Sequence, residues 1–178
     1  AARGGVNHPL LVADEHDLST LNDFAEYVNS GGDVMLAACE EFVTRSDALP
    51  AFQKAYGFEI EDEEMIVFSG CNTAQTEKAA AQGTSGVNTA MAFGTDGALA
   101  ALGLKILEDT KGVQPVYAPA PVVRKKVFDK HPEIENILKP VFESLDQETL
   151  QKLNARIAVG GESSEAVAGE YLQKQGLL

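Results

Sequence analysis

The chain has 178 residues, 44% hydrophobic and 23% charged, with 27 acidic side chains against 14 basic ones and a formal net charge of −13. Such a chain can bury a core as one domain or two small ones, and its composition is not that of a disordered segment. The acidic balance excludes nucleic-acid binding as an expectation, since that affinity comes largely from Lys and Arg neutralising phosphates, and no run approaches the ~20 apolar residues of a membrane-spanning helix.

Ala1 is neither an initiator Met nor part of a signal peptide, features that a processed or truncated chain also lacks, so the N-terminus does not speak to compartment. Residues 10–13 are a short apolar run ending in Asp14, Glu15 and His16. Ser19 and Thr20 then offer a helix cap before Leu21, Phe24, Ala25 and Val28, whose spacings of three and four predict an amphipathic helix stopped by Gly31 and Gly32. Residues 34–38 read as a buried strand. Ser46 is placed to cap a second helix bearing Leu49, Phe52, Ala55 and Tyr56, closed by Gly57.

Glu59, Glu61, Asp62, Glu63 and Glu64 form an acidic block that reads as a solvated turn. The alternating acids and central Gly of an EF-hand loop are missing from it. Residues 65–68 are the next strand, and Asn72 can cap a helix that runs through Ala81 to Gly83. Residues 87–93 form another strand, followed by Gly94, Thr95, Asp96, Gly97 and a short Ala/Leu helix, and residues 104–107 complete the set.

This β-α alternation predicts an α/β fold with a mostly parallel sheet and helices on both faces. Open sheets of this kind bind ligands at the carboxyl ends of their strands. Here that edge carries Cys39 to Arg45, Gly70 to Thr73 and Gly94 to Asp96. The chain changes character after the Pro-rich stretch around Tyr117. Val122 and Val123 look strand-like, Pro132 and Pro140 punctuate a helix with Ile134, Ile137, Leu138, Val141 and Phe142, and Ser144 or Asp146 can cap the next. Ser163 or Ser164 can cap a last helix with Val167, Ala168, Tyr171 and Leu172.

Chemistry is sparse. His8, His16 and His131 do not sit in strand-end loops beside a Ser or Cys, and there is no Gly-x-Ser-x-Gly elbow. Two cysteines form no zinc cluster, and Gly83-Thr84-Ser85-Gly86 joins a helix to a strand on the wrong edge for a phosphate loop. Glu40 and Glu41 are adjacent, so they point apart and make a poor acid/base pair. The expectation is therefore no enzyme, no cofactor and no metal. If the strands before Cys39 and Cys71 are neighbours, the sulfurs approach bonding distance. A disulfide and two free thiols both remain open.

Several runs in order carry a resemblance. They are Phe93-Gly94-Thr95-Asp96-Gly97, Leu107-Glu108-Asp109-Thr110-Lys111, and the return from Tyr117 through Ala120-Pro121-Val122-Val123-Arg124. Upstream lies Glu41-Phe42-Val43-Thr44-Arg45-Ser46-Asp47-Ala48-Leu49-Pro50, and near the end Leu153-Asn154-Ala155-Arg156. Together they resemble the substrate-binding proteins of glycine betaine/choline (osmoprotectant) ABC importers, over nearly the whole chain. The resemblance implies a periplasmic-binding-protein-like (type II) second lobe over residues 7–117. It also implies a helical C-terminal segment, 118–178, that returns to a first lobe formed mostly by residues before Ala1.

In that family a quaternary ammonium sits among aromatic rings, because such a cation donates no hydrogen bond and ring faces attract it. By position Phe93 and Tyr117 match two cage aromatics, Thr95 lies in the matching turn, and Asn7 matches a polar residue lining the cage. Arg45 matches the arginine that holds a ligand carboxylate, a role suited to its planar fork. Pro9 falls where a cage tyrosine is usual, and residues 73–77 depart from the pattern, so the ligand need not be glycine betaine itself. Against these roles, Phe93 can serve simply as core, and Arg45 can pair with Glu41 or Asp47.

The implied function is capture of a small quaternary ammonium or zwitterionic solute for a membrane permease, in the periplasm or on an extracytoplasmic membrane anchor. The alternative is the effector-binding domain of a cytoplasmic transcriptional regulator of the same two-lobed architecture. Ile134, Ile137, Leu138, Val141, Leu150, Leu153, Val167 and Leu172 would then face first-lobe strands. Without those strands, residues 122–178 are expected to pack against a second copy as a homodimer or to fold back on their own lobe.

Overall fold

The computed structural model describes residues 10–13, 17–114 and 119–178. Five strands, β1 (Leu10–Ala13), β2 (Leu36–Cys39), β3 (Met65–Phe68), β4 (Thr89–Met91) and β5 (Leu104–Ile106), form one sheet in the order β3-β2-β4-β1-β5. β2 runs parallel to both β3 and β4, so the sheet is mostly parallel. β1 is antiparallel to its neighbours β4 and β5, with Leu10 opposite Met91 and Ala13 opposite Leu104. A simple β-α repeat does not foresee this reversal. The repeat gives the alternation of elements, whereas direction depends on the partner, and β1 pairs with β4 and β5 rather than with β2, its successor in the chain. As a result the chain enters β1 at the same edge at which β2, β3 and β4 end.

β2 is an interior strand, apolar on both faces, and all four of its residues are buried. Its period-two alternation divides the core. Leu36 and Ala38 join one cluster with Phe24, Phe42, Leu49, Phe52 and Phe58, while Ala37 joins the other with Ala79, Ala80, Val87 and Ala90. Helices α1 (Leu21–Asn29), α2 (Glu40–Thr44) and α3 (Leu49–Tyr56) cover the first face, and α4 (Thr73–Ala81) covers the second.

Local chemistry explains most boundaries. The Thr20 hydroxyl accepts from Asp23 N–H at 3.1 Å and Thr20 N–H donates to Asp23 Oδ2 at 2.9 Å, a reciprocal box that starts α1. Asn72 caps α4 by accepting from Ala74 N–H at 3.2 Å. Gly57 ends α3 in the left-handed region at φ 74°, where a Cβ would be strained. Ser46 does not cap α3. The chain first makes the unforeseen α2 directly from β2, and α3 begins after Ala48 with Pro50 in its first turn. The expected Ala/Leu helix after Gly97 is a run of turns, in which Leu102 N–H reaches Ala98 O before Gly103, at φ 68°, leads into β5.

Beyond residue 118, Val122 and Val123 pair with no strand, and Val122 is 99% exposed. Four helices follow: α5 (Lys125–Phe128), α6 (Glu133–Ser144), α7 (Gln147–Ala158) and α8 (Ser164–Lys174). Asp146 caps α7 and Ser163 caps α8. α7 lies against the loop after β4. Gln147 and Gln151 side-chain amides donate to Gly94 O at 3.1 and 2.6 Å, and Asn154 Nδ2 donates to Thr95 O at 2.8 Å. Gly97 permits this approach, since a Cβ there would overlap the backbone of Asn154 and Ala155. Among the described residues, no helix is long and apolar enough to cross a membrane.

Candidate functional site

The edge formed by the carboxyl ends of β2, β3 and β4 gathers most of the chemistry. β2 and β3 are neighbours, and Cys39 and Cys71 are joined across their ends, with sulfurs 1.97 Å apart. The disulfide lines an open cavity of about 400 Å³ with Glu40, Glu41, Thr44 and Ser69. Arg45 follows α2 on the chain leaving β2. Its guanidinium forks onto Asp47, with Nε to Oδ1 and an Nη to Oδ2 both at 2.8 Å, while the other Nη reaches Glu41 Oε1 at 2.7 Å. The Arg45 side chain remains 36% exposed, so this charge cluster is open to solvent.

Phe93 lies two positions past β4, half-buried, with its ring against the larger core cluster. Its backbone N–H donates to Asp96 Oδ2 at 2.9 Å and its carbonyl accepts from Asp96 N–H at 3.0 Å, which closes a tight turn. Thr95 in that turn is 7% exposed and is covered by Asn154 of α7. The structure therefore brings Phe93 and Thr95 into one turn. It sets Arg45 on the exit of the neighbouring parallel strand, at the same edge. Asn7 and Tyr117 lie outside the described residues, as does Pro9.

Two groups that the sequence reading passed over stand close to this edge. Tyr56 OH donates to Asp109 Oδ1 at 2.5 Å and accepts from Lys111 N–H at 2.8 Å, while the Lys111 ammonium sits 4.6 Å from the ring centroid. Burial, and then the bond to Asp109, raises the Tyr56 hydroxyl above its ordinary value. Asp109 Oδ2 accepts from Gln114 N–H at 2.9 Å, and Gln114 Nε2 donates to Asp47 O at 2.5 Å. The knot ties residues 109–114 to α3 and to the partner of Arg45. The run Leu107-Glu108-Asp109 was visible in the sequence, but its tie to Tyr56 was not.

The second group is Glu77 on α4, only 2% exposed, with no partner for its Oε1 among the described residues. Burial first, and then the hydrogen bond and repulsion of Asp96, raise its carboxyl from 4.5 to about 8. Glu77 occurs in a run of small side chains, Thr76, Ala79 and Ala80, that pack inward. That spacing was the one available signal. Among the described residues no three His, Cys, Asp or Glu side chains gather as a metal site.

Residues 5–174 match the protein family described as the substrate binding domain of ABC-type glycine betaine transport systems. The glycine betaine-binding protein YehZ of Escherichia coli K12 is 54% identical over 165 residues, which are 93% of this chain and 54% of that protein. The chain thus spans about half the length of this curated relative. Among solved structures, apo YehZ from Escherichia coli superposes with a TM-score of 0.78 at 49% identity, over 99% of this chain and 64% of that one. A glycine betaine/carnitine/choline ABC transporter structure gives a TM-score of 0.81 at 24% identity, over 99% and 63%, a likeness of fold.

Proposed function

The chain belongs to the substrate-binding domains of ABC-type glycine betaine transport systems, and from that premise we propose that it supplies one ligand-binding lobe and the C-terminal segment of a solute-binding protein. The boundary falls near Tyr117, with residues 7–117 as lobe and 118–178 as the returning segment. The solute is glycine betaine, choline or a related quaternary ammonium. It is captured outside the cytoplasm, in the periplasm or on a membrane anchor, and delivered to an ABC permease without chemical change. The family match favours this over the effector domain of a regulator.

The observation that carries the reading is the convergence of Phe93 and Arg45 on the carboxyl edge of β4 and β2. The Phe93 ring, with Tyr117 and the polar Asn7, would face the methylated ammonium, which only ring faces and close packing can hold. Arg45 would take the carboxylate of a betaine. Its fork is now occupied by Glu41 and Asp47, so a ligand carboxylate exchanges one charge-assisted bond for another. Binding on those terms is selective but not tight. A ligand without a carboxylate leaves the Arg45 cluster undisturbed.

Calorimetry on the full-length protein with glycine betaine, choline, carnitine and proline betaine tests this. Tyr117→Ala is expected to weaken binding by about 1–2 kcal/mol for every cation, as loss of a desolvated cation–π contact predicts. Arg45→Ala should weaken the carboxylate-bearing solutes and spare choline. No heat with any of the four would end the reading and leave the fold.

A further inference from the structure

Two carboxyl groups meet behind the turn that carries Phe93 and Thr95. Glu77 is 2% exposed, no N–H or O–H of the described residues donates to its Oε1, and its carboxyl meets that of Asp96. Asp96 is already engaged, since its Oδ2 accepts the Phe93 N–H at 2.9 Å. Two ionised carboxylates are acceptors only and repel each other, whereas one shared proton turns the contact into a strong charge-assisted hydrogen bond.

Little else competes for that proton. β4, β2, β1 and the turn Thr84–Gly86, all packed on α4, carry no ionisable side chain apart from the disulfide-bonded Cys39. On α4 itself Lys78 is exposed. From α7, Glu148 and Lys152 line a cavity with Asp96 but pair with each other at 2.6 Å.

We propose that Glu77 is a positioning residue of the solute site: as a neutral acid it donates its proton to Asp96 and so holds the turn at residues 93–97, and the Phe93 ring with it, in binding shape. When the pair loses that proton, repulsion opens the turn and the grip on solute weakens. The solute consequence rests on the function proposed above, while the shared proton stands without it.

The sign follows from burial. The folded lobe raises the Glu77 carboxyl from 4.5 to about 8. The contribution of the protonated Glu77 to stability is therefore complete below the lower value. It declines as pH rises and is gone once Glu77 ionises above the upper one.

The direct test needs no ligand: a carbon-13 titration of the Glu77 carboxyl in the wild-type chain and in Asp96→Asn. An apparent midpoint well above the ordinary glutamate range in the wild type, lower once Asp96 loses its charge, is expected. A midpoint in the ordinary range overturns the shared proton whether or not any solute binds. In the full-length protein, glycine betaine affinity should fall above that midpoint, by at most about tenfold per pH unit, the limit set by linkage to one proton. Glu77→Gln, whose amide donates without titrating, should flatten the profile, and Glu77→Ala should lower affinity at every pH. A wild type and a Gln variant that lose affinity in parallel would overturn the positioning role. Should Glu77→Ala fail to fold, the Gln variant and the carbon titration still decide.

Discussion

Residues 17–114 and residues 119–178 are built from similar amphipathic segments but end in different states. In the first region Leu21, Leu36, Phe24, Phe42 and Phe52 are all at most 1% exposed. In the second, Val167 is the one described apolar side chain that is fully buried, while Ile137 is 62% exposed and Val159 57%. Helical periodicity creates an apolar face, but only another layer can cover it. The first region brings its own sheet. The C-terminal helices lean instead on the caps at Asp146 and Ser163, on exposed pairs such as Lys152–Glu148, and on the α7 contact with residues 94–97. Arg156, bound to Glu162 and Glu170 at 2.6 Å, ties α7 to α8 at the surface, where ion pairs add little.

The sharpest way to break this comparison is to truncate one large apolar side chain on each side. Phe52→Ala should cost about 3–5 kcal/mol in chemical denaturation, the ordinary price of an aromatic-sized cavity. Ile137→Ala should stay within about 0.5 kcal/mol, as expected of a side chain that touches little. A loss from Ile137→Ala comparable to that from Phe52→Ala would mean that α6 is covered in solution, by a second copy or by chain beyond these residues.

A smaller effect is expected where the two regions touch. Gly97→Ala puts a methyl into the backbone of Asn154 and Ala155, so α7 must shift and strain its bonds to Gly94 and Thr95. Overpacking of this kind costs about 1–3 kcal/mol. Hydrogen exchange should quicken in α7 and in the turn at residues 93–97, while β2 and β3 keep their protection. Equal loss of protection throughout the sheet would show that the C-terminal helices are integral to the lobe.

What was legible in the sequence was largely local. The apolar run at 34–38 and the one at 65–68 announce β2 and β3, and Thr20 and Asn72 announce the helices they cap. The direction of β1 was not legible, because it is set by β4 and β5, far along the chain. Nor was α2 legible, since no breaker separates Cys39 from Glu40 and Cys39 makes no side-chain cap, whereas Ser46 has the side chain of one. The site divides in the same way. Arg45 and Phe93 could be placed because each follows a recognisable strand, and the Arg45 partners Glu41 and Asp47 are sequence neighbours. Glu77 could not, since a lone acid on a helix reads as solvent-exposed. Its burial is created by packing on β4 and β2, and its carboxyl is acted on by Asp96, a partner that no local pattern connects to it.

The smallest expected difference lies in the caps, and it probes whether each helix unfolds with the whole or by itself. Thr20 and Ser163 do the same chemistry, each accepting from a backbone N–H three residues on, at 3.1 and 3.2 Å. Thr20→Ala should lower global stability by about 1 kcal/mol, because α1 is locked to the sheet by Leu21 and Phe24 and its cap is lost only when the lobe unfolds. The box adds a pH signature. Backbone bonds from Ser19 and Thr20 hold the Asp23 carboxyl below its ordinary value, so its contribution is present above that value and lost as pH falls through the lowered one. The Thr20 hydroxyl adds a smaller lowering, and Thr20→Ala, which keeps both backbone bonds, should reduce the acid sensitivity of the lobe only in part. Ser163→Ala should leave global stability within about 0.5 kcal/mol, the scale of surface substitutions, because α8 is held by one buried apolar side chain, Val167, by the Tyr171 bonds to Ser144 and by the exposed Arg156–Glu170 pair, and can fray before the lobe opens. Its effect should appear instead as faster exchange confined to α8. Matching global losses from the two variants would place α8 in the same cooperative unit as the sheet.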